Sequence, residues 1–473
     1  MRLMNPWREV TVFDSPDAPA NPRALSKLRE GVASADLAAP AVVLPDFHHK
    51  GDKEMPSSIA IATEGTIRPT YTSASLNCGM ALVAMDLERP GPAAIADFYA
   101  RVRERYPYPP SYRPGLTPEE VVRCAAEGSA FAVERWGVDP VELGGVEEGG
   151  RLDVDRYGGI DRVRRELPWS VRQLSRIRFG TIGKSNHFIE LQEVDEVIDP
   201  YAAELLGLRA GQVTLQYHGG GGSLPGELGM LFGRRKRYPR PVRAQMAVQK
   251  PLYHLGRARS IEELRRRRAL YFGFGCPPVE RESSEGERLM LANAMAMNYG
   301  FAFRLSTYAS LREFAAKSFG ATSRLVVDSP HNTVYEEELA DGQTAVVHRH
   351  NAARAYPASR MSEHPVFGEI GQALLLPGTN RTSSYVCTAG ERADRSLYSA
   401  CHGAGTTIKE MVAAKRSGAD PGGRSTLRFD YSGSDPEPVE QLDDHGVDEA
   451  LKILAGEDIV CPVARLRPFA VLN

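Results

Sequence analysis

The chain has 473 residues, 42% of them apolar and 25% charged, a globular composition able to bury a large core. Fifty-eight basic residues against sixty acidic ones leave a formal charge of −2, so net charge gives no support to a nucleic-acid partner and only a local basic face would serve one. Six cysteines in so long a chain exclude a disulfide-stapled scaffold, and no run reaches the roughly 18 apolar residues of a membrane span.

These limits read as a cytoplasmic protein with reduced thiols and no membrane partner, and the opening MRLMNPWREVTVFDSP carries charge and proline where a signal peptide needs an apolar run. The first forty residues, rich in Pro and Ala, read as an N-terminal extension (1–40) with a helix near 24–35. A strand begins at Ala41 (AVVLPDFHHK), and strand-type runs alternate with turns through LNCGMALVAMDL. Residues 93–164 read as helices broken at YPYPPSYRPG and GGVEEGG. Two strand-like stretches follow, FGTIGKSNHFIELQEVDEV and GQVTLQYHGGGGS, and then an arginine-rich insertion near 234–268. A helix is predicted over 287–303, with its Met and aromatic residues as core packing. The last third alternates strands and loops, and a helix follows CHGAGTT. Motifs run from Asp46 to Asn473, which predicts one large mixed α/β domain over 41–473, an α+β fold with an intertwined sheet core and peripheral helices.

Four positions share one setting, a soft or imidazole ligand beside Gly or Asn at the end of an apolar run: Cys78, His187, His218 and His331. Thiolate and imidazole are metal ligands, and strands that end in glycine-rich loops let backbone approach a phosphate closely. Any one of these histidines alone is ordinary core chemistry, and the four are far apart in sequence.

Read together, PDFH, LNCGM, FGTIGKSNHFIELQEVDEV, DSPHNTVYEE, VVHRHNAARAYP, LLPGTNRTSSYV and CHGAGTT resemble, in the same order, the motif series of the RtcB family of GTP-dependent RNA ligases. The resemblance implies that His402 attacks the α-phosphate of GTP to form a covalent guanylate, which passes to an RNA 3′-phosphate before a 5′-hydroxyl displaces GMP. It implies one or two Mn²⁺ ions on Cys78, His187, His218 and His331, with Zn²⁺ an alternative for a Cys/His set. It places Asn186, Glu190 and Asn332 in the guanylate and metal pocket, and it places Pro377, Gly378, Thr379, Asn380 and Ser384, with Gly403, Ala404 and Gly405, around the nucleotide. RNA ends, or DNA ends, and an archease-like activator are the partners implied.

Several positions depart from the family pattern. The carboxylate expected three residues before the cysteine is Ser75. The arginine expected after the His-Gly stretch gives way to glycine and serine, and the one after CHGAG is Thr406. A lysine is replaced by His350, which would stand in for a cation only when protonated, and the C-terminal lysine aligns with Asn473. Each lost phosphate contact is worth about 1.5–3 kcal/mol. The reading is a divergent paralogue that keeps the nucleophile and the Cys/His ligands. The alternatives are a catalytically impaired RNA-binding relative and a metal-dependent cyclic phosphodiesterase. The run at 234–243, with Tyr238 among its charges and Arg265 to Arg268 downstream, fits either a nucleic-acid backbone or a solvated helix face paired with Glu262 and Glu263.

Overall fold

The structure, a computed structural model, describes residues 10–49, 51, 53–110, 113–183, 186–220, 222–233, 240–273 and 277–473. Its larger sheet has nine strands and a mixed but mainly antiparallel pattern. Along its main path the order is Ala373–Leu376, Ser384–Ala389, Val460–Leu472, Ile189–Val197, Val213–Gly219, Gly79–Met85 and Ser323–Pro330. Ser425–Phe429 pairs parallel to Val460–Leu472 and carries Glu437–Glu440 on its other edge. A second sheet of five strands contains Val10–Val12, Ala41–His48, Ser57–Thr63, Thr344–His350 and Asn332–Glu338. The stretch before Ala41 is tied into this sheet, since Val10–Val12 pairs with Ala41 to Val43 and helix Pro22–Val32 buries Ala24, Leu28 and Val32.

One helix, Ser284–Phe319, organises the core. Ser283 caps it by accepting from the Gly286 N–H at 3.1 Å, and Gly320 ends it in the left-handed region at φ 69°. It extends well beyond the predicted 287–303, because Leu305, Tyr308, Leu311 and Ala315 continue its buried face and no breaker occurs before Gly320. From Leu289 to Tyr308 every residue is buried, so this helix is wrapped by the fold on all sides.

In the arginine-rich region, helices Arg240–His254 and Ile261–Phe272 stand on either side of a short link. Positions 234–239, Tyr238 among them, lie outside the described residues. Arg267 is buried on Glu263 and Glu285, whereas Arg265 and Arg268 are exposed. Among the described residues no helix is long and apolar enough to cross a membrane.

Candidate active site

Sheet order explains how four distant residues meet. The strands Ile189–Val197, Val213–Gly219, Gly79–Met85 and Ser323–Pro330 are consecutive neighbours, and their antiparallel registers set Met80 opposite His218 and Gly79 opposite Pro330. His187 thus precedes one strand, His218 nears the end of the next, Cys78 precedes the third and His331 follows the fourth. All four fall at one end of the sheet. At His331 the chain leaves the larger sheet and enters the smaller one at Asn332.

The geometry there is tight. Cys78 Sγ lies 3.2 Å from His218 Nε2 and 3.5 Å from His187 Nε2. Ligand atoms of Cys78, His218 and His331 all lie within 4.8 Å of one another. His218 Nδ1 faces the Asn186 carbonyl at 2.7 Å and His187 Nδ1 faces the Ile182 carbonyl at 2.5 Å. Each ring therefore carries its proton on Nδ1 and turns an Nε2 lone pair toward the sulfur, the tautomer that a metal ligand needs. His331 Nδ1 is buried with no hydrogen-bond partner among the described residues.

Burial, reinforced by the neighbouring His187 and His402 rings, holds His218 neutral well below the usual histidine range. Burial and then the His402 and His218 rings do the same to His331. Burial pushes the Cys78 thiol up to about 12. A thiol so raised becomes a thiolate only beside strong positive charge, and a divalent cation supplies it. One thiol and the neutral His218 and His331 imidazoles, the latter with an orphaned ring nitrogen, fit such an ion, and His187 stands beside the sulfur without joining the converging group.

The Cys78 loop is clamped onto the long helix. Asn77, in the left-handed region at φ 54°, donates from Nδ2 to the Met297 carbonyl, and its own carbonyl accepts from Arg304 Nη1 at 2.6 Å. Gly300 permits this approach, since a Cβ there would lie 2.8 Å from the Asn77 side chain. A Cβ on Gly79 would meet the Arg304 guanidinium at 2.8 Å. Arg304 and its partner Asp328 are both buried.

His402 follows strand Ser399–Cys401, which pairs with Ala352–Arg354. Its ring centroid lies 4.2 Å from that of His331 and 6.5 Å from that of His218. Behind it starts helix Gly405–Ala413, where Asp46 accepts from the N–H groups of Thr406 and Thr407. Burial raises the Asp46 carboxyl to about 6. The PDFH string had signalled this segment; its aspartate anchors the helix behind the proposed nucleophile.

The residues expected around the nucleotide form a second group. Glu190 is buried and accepts from Gln192 Nε2 at 2.8 Å; Gln192 also reaches Gln216 Oε1 at 3.1 Å and Ser384 Oγ at 3.2 Å. Ser384 Oγ in turn accepts from the Gly378 N–H at 3.2 Å. Pro377 presents its carbonyl to the Ala404 N–H at 3.0 Å, which joins the 377–380 turn to Gly403 and Ala404. Thr379 closes that turn on Thr382 at 2.8 Å, Asn380 is half-buried within it, and Gly405 opens onto free space. Asn332 donates to the Ser75 carbonyl at 3.2 Å and accepts from the Asn351 N–H at 2.9 Å, so it braces the cage from the smaller sheet. Gln192 lies in the same FGTIGKSNHFIELQEVDEV string, two residues beyond Glu190, and its alternation with Glu190 along one strand face is the signal that marks it.

The departures have structural counterparts. Ser75 contributes its carbonyl to the Cys78 N–H at 3.2 Å and adds no carboxylate to the cage. His350 does not stand in for a cation, because burial and then the neighbouring Lys53 and His48 drive it down to about 3. Asn473 accepts from Arg428 Nε at 3.3 Å, which brings an arginine to the position where a lysine was missing.

A family model described as "tRNA-splicing ligase RtcB" matches residues 30–473. A protein named tRNA-splicing ligase RtcB from Thermococcus kodakarensis is 27% identical over 409 residues, covering 80% of this chain and 75% of that one. The protein of that name from Methanopyrus kandleri is 29% identical over 440 residues, 84% of this chain and 41% of its own length. RNA-splicing ligase RtcB from Mycobacterium tuberculosis is 30% identical over 296 residues, 62% of this chain and 61% of its own. The chain thus spans less than half of the Methanopyrus protein and 36% of the Pyrococcus abyssi relative.

Proposed function

The chain belongs to the RtcB family, and on that premise we propose that it is a metal- and GTP-dependent ligase of nucleic-acid ends, joining an RNA 3′-phosphate or 2′,3′-cyclic phosphate to a 5′-hydroxyl. The observation that carries the reading is the His402 ring set 4.2 Å from the His331 ring at the rim of a buried Cys/His cage. A metal-coordinating group and a nucleophilic ring are in reach of one phosphate.

Cys78, His218 and His331, with His187 3.5 Å from the sulfur, would hold the metal. When bound it would neutralise phosphate charge during in-line attack. Among the described residues the cage has no carboxylate, so it suits a tetrahedral Zn²⁺ as well as Mn²⁺. His402 would attack the α-phosphorus of GTP, with cleavage of the bond to pyrophosphate; GMP would pass to the 3′-phosphate and leave as the 5′-hydroxyl attacks. Glu190, protonated up to about 8 by burial, can donate or accept a hydrogen bond from a nucleotide base without placing a full charge in the pocket. Asp46 fixes the helix that carries Gly405 beyond His402.

Incubation with α-labelled GTP and Mn²⁺ tests the proposal. Label that is acid-labile and alkali-stable on the wild type, and absent from His402→Ala, supports a histidine guanylate. Cyclic-phosphate opening without GTP would replace it with a phosphodiesterase.

A further inference from the structure

Away from the Cys/His cage a cavity of about 350 Å³ opens between the long helix and the strand Asn332–Glu338. Its wall includes Asn293, Val334, Tyr335, Arg354, Tyr356 and Arg156. It adjoins a hollow of about 590 Å³ that shares Arg156 and Tyr157. We propose that this cavity binds one unstacked nucleobase of the nucleic-acid substrate, an inference that rests on the ligase reading for the identity of that substrate.

The charge pattern selects the ligand class. Arg156 pairs with Glu336 at 2.8 Å, Arg151 with Asp155 at 2.9 Å, and Arg354 with Glu148. With every wall arginine matched by a carboxylate, phosphate gains little here and a neutral polar ring is preferred. The walls are layered for such a ring. Arg354 lies over Tyr356 at 4.3 Å and over Tyr335 at 5.5 Å, and Arg156 over Tyr157 at 5.2 Å. Flat guanidinium and phenol surfaces stack on any base.

One polar atom of the wall is unmatched. Asn293, 4% exposed, donates from Nδ2 to the Val334 carbonyl at 2.9 Å, which fixes its amide orientation and leaves Oδ1 without a partner among the described residues. A buried carbonyl oxygen with no donor is costly, and although Asn293 Oδ1 is enclosed and the residue also borders an adjoining apolar cavity, a small side-chain shift that meets the N–H edge of a base satisfies it. The location is apt. Val334 and Glu336 lie two and four residues beyond Asn332, about 7–13 Å along the strand. Arg354 pairs with Ser399 on the strand that delivers His402. A base held here belongs to a nucleotide close to the end being joined.

The test uses the intact protein with adenosine, cytidine and uridine as ligands and ribose 5-phosphate as a base-less control, followed by tyrosine fluorescence and ligand-observed NMR. Wild type and His402→Ala are expected to bind nucleosides saturably and ribose 5-phosphate not at all. Asn293→Ala and Ala294→Leu, which remove the acceptor and fill the cavity, are expected to weaken nucleoside binding at least about tenfold with bound metal unchanged. Arg156→Ala, at the exposed rim, is expected to weaken it less. Should Ala294→Leu not fold, Asn293→Ala decides. Nucleosides that fail to bind, or that bind these variants as tightly as wild type, overturn the inference. Nucleoside binding that the cavity variants abolish, together with no guanylate on His402, would retain the base pocket and remove the ligase reading instead.

Discussion

Arg304 Nε meets Asp328 Oδ1 at 2.6 Å in a fully buried ion pair beneath the Cys/His cage. Through Nη1 the same arginine also binds the Asn77 carbonyl at 2.6 Å and lies 3.5 Å from the Gly219 carbonyl. Asp328 stands three residues before His331, so one guanidinium ties together the segments that carry Cys78, His218 and His331.

Arg304→Met should therefore strand a buried carboxylate and cost about 3–5 kcal/mol. Adding Asp328→Leu should restore much of that stability, because a packed apolar pair often replaces a buried ion pair without loss. Metal affinity should stay low in the double variant, since the Asn77 and Gly219 carbonyls remain without their donor. Thermal unfolding and metal titration on the three proteins check this; full recovery of metal affinity would make the pair a stability element only.

Gly300→Ala tests the clamp from the helix side. A Cβ 2.8 Å from the Asn77 side chain forces the Cys78 loop outward, at an expected cost of about 1–3 kcal/mol and a weaker metal complex. Equilibrium denaturation with and without Mn²⁺ measures both effects.

Glu190 gives a pH dependence with a defined sign. Burial holds its carboxyl protonated to about 8 in the fold, against 4.5 in the unfolded chain. The folded state keeps a proton that the unfolded state releases, so this contribution is fully present below 4.5 and is lost as pH rises through about 8. Glu190→Gln should stabilise the fold relative to wild type at pH 8–9 by an amount on the order of a few kcal/mol, read as a raised melting temperature, and leave stability little changed near pH 4.5. Equal shifts at both pH values would contradict it.

Ser75→Asp restores a carboxylate beside the cage. Bound Mn²⁺ per chain should rise on this substitution and stay constant on Ser75→Ala, as read by elemental analysis after gel filtration. Unchanged content in Ser75→Asp would show that the missing acid does not set the metal count.

The local setting of each candidate ligand was legible because each stands at a strand end inside a distinctive string. Cys78, His187, His218, His331 and His402 each carry their own flanking signature. Their adjacency was not legible, because it depends on the order in which four strands line up, and nothing around Ile189 or Ser323 encodes which strand will be its neighbour. Arg304 gives only a weak signal in the sequence, a position resembling a family polar residue within a helix whose pattern reads as core, and its contacts appear only when Asn77 and Asp328 pack against it. For His350 the sequence gives only a histidine's ordinary pKa and leaves its charge conditional; complete burial, with Lys53 beside it, moves it far below and keeps the ring neutral.

The strand Val460–Leu472 lies between Ser384–Ala389 and Ile189–Val197 in the larger sheet, yet it leaves the ribosome after both. Until it inserts, the nascent chain exposes two open edges, each a template for intermolecular pairing. Cellular yield should then depend on holdase chaperones that shield those edges until the strand emerges, and mutations that slow its insertion should reveal themselves as aggregation well before they alter the folded protein.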